Sequence, residues 1–152
     1  MADVHDKRTR SRNMAAIKGS GTKPEIMVRK ALFKRGFRYR LNIPDLPGKP
    51  DIVLPKYKTC IFINGCFWHM HANCPMFVLP KTRIEFWKNK LSTNVKRDYD
   101  THSQLIKSGW KVIVVWECTL KGRAALQIET VADRLSYLIT ISSFSNNPLV
   151  IE

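Results

Sequence analysis

The segment WKVIVVWE, residues 110–117, is apolar almost without interruption. A strand with one wet face alternates apolar and polar residues, so a continuous run of this kind predicts a strand covered on both faces, in a sheet flanked by helices. The chain around it supplies those helices. On the N-terminal side Trp87, Leu91, Val95, His102 and Leu105 recur near helical spacing up to Gly109. This helix is predicted to open on a capping box of Thr82 and Glu85 and to pack on the sheet. On the C-terminal side Ile128, Val131, Leu135 and Leu138 mark a last amphipathic helix. Further upstream, residues 37–41, 51–54 and 59–64 are rich in β-branched and aromatic side chains and predict three strands in meander-like pairing. Before them Thr22, Pro24 and Glu25 form a capping box at the head of a helix that stops at Gly36. The order helix, three strands, helix, strand, helix describes an α/β sandwich with a mixed sheet.

The chain has 152 residues, a length suited to one domain, with 26 Lys and Arg against 12 Asp and Glu and a formal net charge of +14. With 44% hydrophobic residues it can bury an ordinary core, which excludes a disordered polycation. The charge therefore sits on a folded surface. Residues 1–111 hold 23 basic and 8 acidic side chains, whereas residues 112–152 hold 3 and 4. A surface this basic selects polyanions, nucleic acid first. Apolar runs are too short to span a bilayer, and Asp3 and Asp6 stand where a secretory leader has its apolar region, so a soluble intracellular protein is expected. Residues 1–21 read as a basic N-terminal arm with Arg8, Arg10 and Arg12 alternating before Met14, residues 22–141 as the folded domain, and residues 142–152 as a loose tail.

Between Gly65 and Pro80 the periodicity fails and Cys, His, Pro and aromatic residues crowd together. Cys66, His71 and Cys74 stand at C-x4-H-x2-C, and Cys118 follows the buried strand, where folding can return it as a fourth ligand. Three thiolates and one imidazole make a closed tetrahedral zinc site, which would staple an irregular loop to the sheet end. His69 competes with His71 for that coordination, and the spacing does not choose between them; whichever is left out is an imidazole suited to proton transfer near neutral pH. Cys60 lies mid-strand and reads as core.

A hard divalent cation needs oxygen ligands, and carboxylates are few here. Asp51 is the best placed, following Pro50 at a strand start; Glu25, Asp98, Asp100 and Glu117 are the other candidates. Pro-Asp at a strand start is half of a common nuclease pattern, whose second half, acid-x-Lys on the next strand, is missing from TCIFIN, residues 59–64.

Taken together, MADVHDKRTRSRNMAAIK at the start, then LPGKPDIVLP, FINGCFWH, TRIEFWKNK with NVKRD, and GWKVIVVWEC closely resemble the very short patch repair (Vsr) DNA mismatch endonuclease family, in order and across roughly residues 1–140. The missing acid-x-Lys agrees with that family. The resemblance implies a restriction-endonuclease-like fold and an enzyme that nicks duplex DNA 5′ of the thymine in a T:G mismatch, the lesion left when 5-methylcytosine deaminates. It implies Mg²⁺ held by Asp51 and the backbone carbonyl of Ile63, with His69 and Glu25 catalytic and Asp98 in support. It implies structural zinc on Cys66, His71, Cys74 and Cys118. Phe67, Trp68, Trp87 and Met14 match residues that wedge into DNA beside the mismatch, and Arg8, Arg10 and Arg12 would contact phosphates. Asn64 stands where family members often carry a histidine. The implied partners are double-stranded DNA, mismatch-repair proteins and a downstream DNA polymerase, for a monomer acting in the bacterial cytoplasm. The competing readings are a restriction-like nuclease without mismatch preference and a non-catalytic zinc-stabilised DNA-binding module.

Overall fold

The structure, a computed structural model, describes residues 21–122, 125–141 and 145–152. Four helices or strands precede the Cys/His-rich loop of residues 65–80 or flank it closely: α1 (Lys23–Lys34), β1 (Ile52–Leu54), β2 (Thr59–Asn64) and α2 (Ile84–Lys107). They are followed by β3 (Lys111–Trp116), α3 (Ile128–Thr140) and β4 (Leu149–Ile151). The sheet order is β1-β2-β3-β4. β1 runs antiparallel to β2 with Ile52 opposite Ile61, whereas β2, β3 and β4 are mutually parallel, with Ile61 opposite Ile113 and Ile113 opposite Leu149. The sheet is mixed, as the sequence predicts.

Residues 110–117 behave as their composition requires. Successive β3 side chains face opposite sides. Ile113 and Val115 join Val28 and Leu32 of α1 and Val131, Leu135 and Ile139 of α3 in one buried cluster. Val112 and Val114 join Cys60 of β2 and Leu105 and Ile106 of α2 in another. Both faces of the strand are therefore covered, which is why it lacks polar alternation. Cys60 is fully buried in the second cluster, as expected of a core residue.

Four local expectations are corrected. Residues 37–41 do not form a full strand: only Arg40 bridges, exchanging two 2.8 Å hydrogen bonds with Val53 before the chain turns away. That turn carries Gly48 at φ +74°, packed so closely on α2 that a Cβ there would run into the Thr101 methyl. Thr82, expected as the N-cap, is not the residue at which α2 starts. Arg83 occupies the N-cap in the left-handed conformation with no side-chain cap bond, its guanidinium 4.1 Å over the Phe86 ring. Val95, expected to face the sheet, is 42% exposed: the buried residues of α2 are Leu91, Asn94, Leu105 and Ile106, of which Leu105 and Ile106 join the sheet cluster. Finally, the stretch 142–152 is not loose throughout: Leu149–Ile151 pairs with β3 as the fourth strand. Without it the β3 edge would present unpaired backbone groups next to a buried core.

At the N-terminus of α1, the Glu25 amide donates to Thr22 Oγ1 at 3.5 Å, and Glu25 Oε2 accepts from the Gly21 amide at 2.8 Å. The predicted reciprocal cap is thus present with its return bond shifted by one residue. Gly36 takes φ +92° just past the helix end.

Candidate active site and metal centre

The C-terminal ends of the parallel strands carry the chemistry, where chain crossings leave side chains free to converge. β2 leads directly into a tight turn in which the His69 amide bonds the Gly65 carbonyl at 3.1 Å and the His71 amide bonds the Cys66 carbonyl at 2.9 Å. β3 leads into a 3-10 turn, Glu117–Thr119, that carries Cys118. One ligand atom from each of Cys66, His71, Cys74 and Cys118 lies within 4.8 Å of all the others. The four cysteines are free thiols. His71 Nδ1 is 3.6 Å from Cys118 Sγ. A tetrahedral zinc with Zn–N of about 2.0–2.1 Å and Zn–S of about 2.3 Å would set those two atoms about 3.6 Å apart, so this pair fits such an ion. Burial raises the Cys66 and Cys118 thiols above their ordinary range. At Cys74 burial acts the same way, but the Met76 amide and the neighbouring His71 side chain outweigh it and lower that thiol. Of the two competing histidines, His71 is the one in the cluster.

His69 turns the other way. Its Nδ1 meets the Asp98 carboxylate of α2. It also lies close enough to Asp51 to act on its charge, as does Glu25 of α1. Asp51, Glu25 and His69, from three separate elements, therefore share one site. Asp51 Oδ2 accepts the Ile63 N–H at 2.7 Å. In an extended strand a residue's N–H and C=O point to the same edge, so the Ile63 carbonyl is on the Asp51 side, beyond the last β1–β2 pair at Ile52 and Ile61. Burial pushes Asp51 up to about 7; the Ile63 amide and His69 pull it down, and Glu25 pushes it further up. Two acids crowded together, Glu25 buried and Asp51 half-buried, with a backbone carbonyl beside them, are the oxygen-rich surroundings that a hard dication relieves. Glu25 is only 3% exposed and its carboxylate accepts from Arg29 Nη2 at 3.2 Å. Asn64, at the end of β2, is buried opposite Trp116.

The aromatic residues form a cluster of their own, apart from both sheet cores. Phe67 lies 5.1 Å from Trp68 and 5.5 Å from Trp87, and Trp68 lies 6.0 Å from Trp87, measured between ring centroids. All three are part-exposed. The loop bearing Phe67 and Trp68 is tied to α2, which carries Trp87, where the buried Asn94 donates from Nδ2 to the Trp68 carbonyl at 3.1 Å. Met14, Arg8, Arg10 and Arg12 lie outside the described residues.

Several contacts at the site were not singled out from sequence. Glu152 Oε2 is 2.5 Å from His71 Nε2, and the Trp116 ring stacks on the His71 ring at 4.0 Å with a 6° tilt. Glu117 accepts the Cys66 amide at 3.2 Å, which makes that strand-end acid part of the cluster's frame. Asn94 and Arg29 carry no local signal, since polar residues on helices are normally solvated.

A family model described as DNA mismatch endonuclease Vsr matches residues 2–76. The DNA mismatch endonuclease Vsr of Escherichia coli (strain K12) is 47% identical over 135 residues, spanning 89% of this chain and 86% of that protein. The type II nicking enzyme V.NmeAIP of Neisseria meningitidis serogroup A is 50% identical over 124 residues, 82% of this chain and 88% of its own. The type II nicking enzyme V.XorIIP of Xanthomonas oryzae pv. oryzae is 42% identical over 114 residues, 75% and 83% of the two chains.

Proposed function

The chain belongs to the DNA mismatch endonuclease Vsr family, and from that premise we propose that it nicks duplex DNA 5′ of the thymine in T:G mismatches left by deamination of 5-methylcytosine. The observation that carries this reading is the meeting of Asp51, Glu25 and His69 beside a Cys/His cluster at one sheet end. The names of its relatives, a mismatch endonuclease and nicking enzymes, favour a single-strand cut over a double one.

Asp51 and the Ile63 carbonyl would hold Mg²⁺, with Glu25 alongside. When bound, Mg²⁺ supplies a Lewis acid that lowers the cost of charge on the scissile phosphate. Glu25, fixed by the Gly21 amide and Arg29, orients the attacking water. His69, its Nδ1 held by Asp98, presents Nε2 for proton transfer. Water adds to phosphorus, the bond to the 3′ oxygen breaks, and the products are a 5′-phosphate and a 3′-hydroxyl. Cys66, His71, Cys74 and Cys118 would hold zinc, and the fold is read as restriction-endonuclease-like.

Phe67, Trp68 and Trp87, with Met14 from the arm, are read as wedges between base steps. Unstacking costs a few kcal/mol per step and less at a mispair, so deformability itself selects the site. Arg8, Arg10 and Arg12 add phosphate contacts in a unit made of an arm (1–21) and a catalytic domain (22–141). We read the enzyme as a monomer of the bacterial cytoplasm, its nick passed to mismatch-repair proteins and a DNA polymerase. The test is Mg²⁺-dependent nicking of a T:G duplex against the same duplex with T:A. Equal rates would leave a restriction-like nuclease, and no cleavage of either would leave a DNA-binding module.

A further inference from the structure

His71 is gripped on three sides. Its Nδ1 faces Cys118, its ring lies flat on Trp116, and its Nε2 meets the Glu152 carboxylate at 2.5 Å. The sheet register produces this arrangement. Val115 of β3 pairs with Ile151 of β4, so one residue further along, Trp116 and Glu152 come level at the strand ends, directly beside the Cys/His cluster. The contact thus depends on β4 being docked.

The chemistry of an imidazole ligand gives the contact a purpose. Ligation through Nδ1 leaves the ring proton on Nε2, and that proton needs an acceptor. Metal-binding histidines characteristically donate their second nitrogen to a carboxylate or carbonyl, which fixes the tautomer and makes the ligand nitrogen more basic. Here Glu152 is the acceptor in place. Its side chain is 58% exposed against 8% for His71. Water therefore screens its charge, and its value lies in selecting the ring nitrogen rather than in ion-pair attraction.

We propose that Glu152 is a positioning residue for the metal centre: its carboxylate holds His71 in the tautomer and orientation that ligate through Nδ1, so that docking of β4 and retention of the metal are coupled. This rests on reading Cys66, His71, Cys74 and Cys118 as a metal centre. The side chain of Glu152 touches none of the groups assigned to the cut, so the coupling is separable from catalysis.

Cobalt-substituted protein tests it without reference to nicking. The wild type should take up about one Co²⁺ and show the absorption of a tetrahedral thiolate site. Transfer of that cobalt to excess EDTA should be about 10–100-fold faster from Glu152→Ala, with Glu152→Asp restoring much of the retention and Glu152→Gln in between. Unfolding of the metal-free proteins should be the same for wild type and Glu152→Ala. Release from Glu152→Ala within twofold of wild type overturns the inference while leaving the metal centre standing. A metal-free Glu152→Ala destabilised enough to account for the faster release also overturns it, because Glu152 would then merely anchor β4. Failure of the wild type to bind Co²⁺ overturns the metal centre and the inference together.

Discussion

Replacing Lys111 with Met should loosen the structure at the end of β3 opposite Cys118. Lys111 opens β3, and its ammonium donates to three carbonyls at the end of α3: Leu138 at 2.8 Å, Ile139 at 3.2 Å and Ile141 at 2.7 Å. α3 has no basic residue in its own last turn. Lys111 therefore serves as its C-terminal cap from another element, where the carbonyl ends of the helix favour a cation. A hydrogen bond to a charged group contributes about 1.5–3 kcal/mol. The three bonds share one ammonium, whose burial opposes its charge and lowers its pKa. The sum is thus well below three independent bonds, and Lys111→Met, which keeps most of the side-chain length, should cost about 2–3 kcal/mol. For a chain of this size each kcal/mol moves Tm by about 2–4 °C, so thermal unfolding should begin roughly 4–12 °C lower. Lys107→Met, an exposed change in the last turn of α2, is the control and should stay within about 0.5 kcal/mol. Denaturant unfolding of the three proteins measures the difference directly. A Lys111→Met protein within about 0.5 kcal/mol of wild type would refute the idea that this ammonium caps α3.

Asp51→Asn keeps the size of this half-buried carboxylate but removes its charge; Mg²⁺-dependent nicking should fall by roughly 10³-fold, while cluster metal content and T:G binding persist, as metal analysis and gel-shift titration would show. Trp68→Ala deletes one ring of the aromatic cluster, and base stacking of about 1–3 kcal/mol predicts a roughly 5- to 150-fold loss in T:G affinity; an unchanged affinity would mean the ring stays packed on Trp87. His102, half-buried against Phe62 at 4.9 Å, has its pKa lowered first by burial, with Asp98 pulling it up and His69 pushing it down. Because the unfolded chain takes up this proton before the folded one, the His102 contribution to stability should be level above about pH 6.5 and decline as pH drops below it, opposed by Asp51, whose raised pKa favours the folded state as pH falls through about 7. His102→Gln should flatten that decline in pH-dependent denaturation curves, and a wild-type slope in the variant would contradict the assignment.

What could be read from the chain and what could not divides along a physical line. Residues 110–117 announced a doubly covered strand because burial on both faces suppresses polar alternation within a single short window. The Cys66, His71, Cys74 and Cys118 set was visible because thiols with an imidazole are rare enough that their spacing carries information. The choice of His71 over His69 was not, since it depends on which way a non-repetitive turn aims each ring. Residues 37–41 have the composition of a strand, yet pairing requires a partner edge, and only Arg40 meets Val53. Leu149–Ile151 is too short to stand out as a strand, and its pairing comes entirely from the open β3 edge. Glu152 is the clearest limit: an ordinary acid in sequence, it acquires a role only through a register linking it to a histidine 81 residues away.

Single-turnover nicking measures whether the cut depends on Mg²⁺ and is directed by a mispair. Purified wild-type protein, in excess over end-labelled duplexes that differ only in one T:G or T:A pair, should cut the thymine strand of the T:G duplex on the 5′ side of that thymine. EDTA should abolish the cut, and T:A should be cut at least 100-fold more slowly, roughly the discrimination that 3 kcal/mol of wedge and unstacking energy supplies. Equal cleavage of T:G and T:A, or nicking that persists in EDTA, would contradict the account.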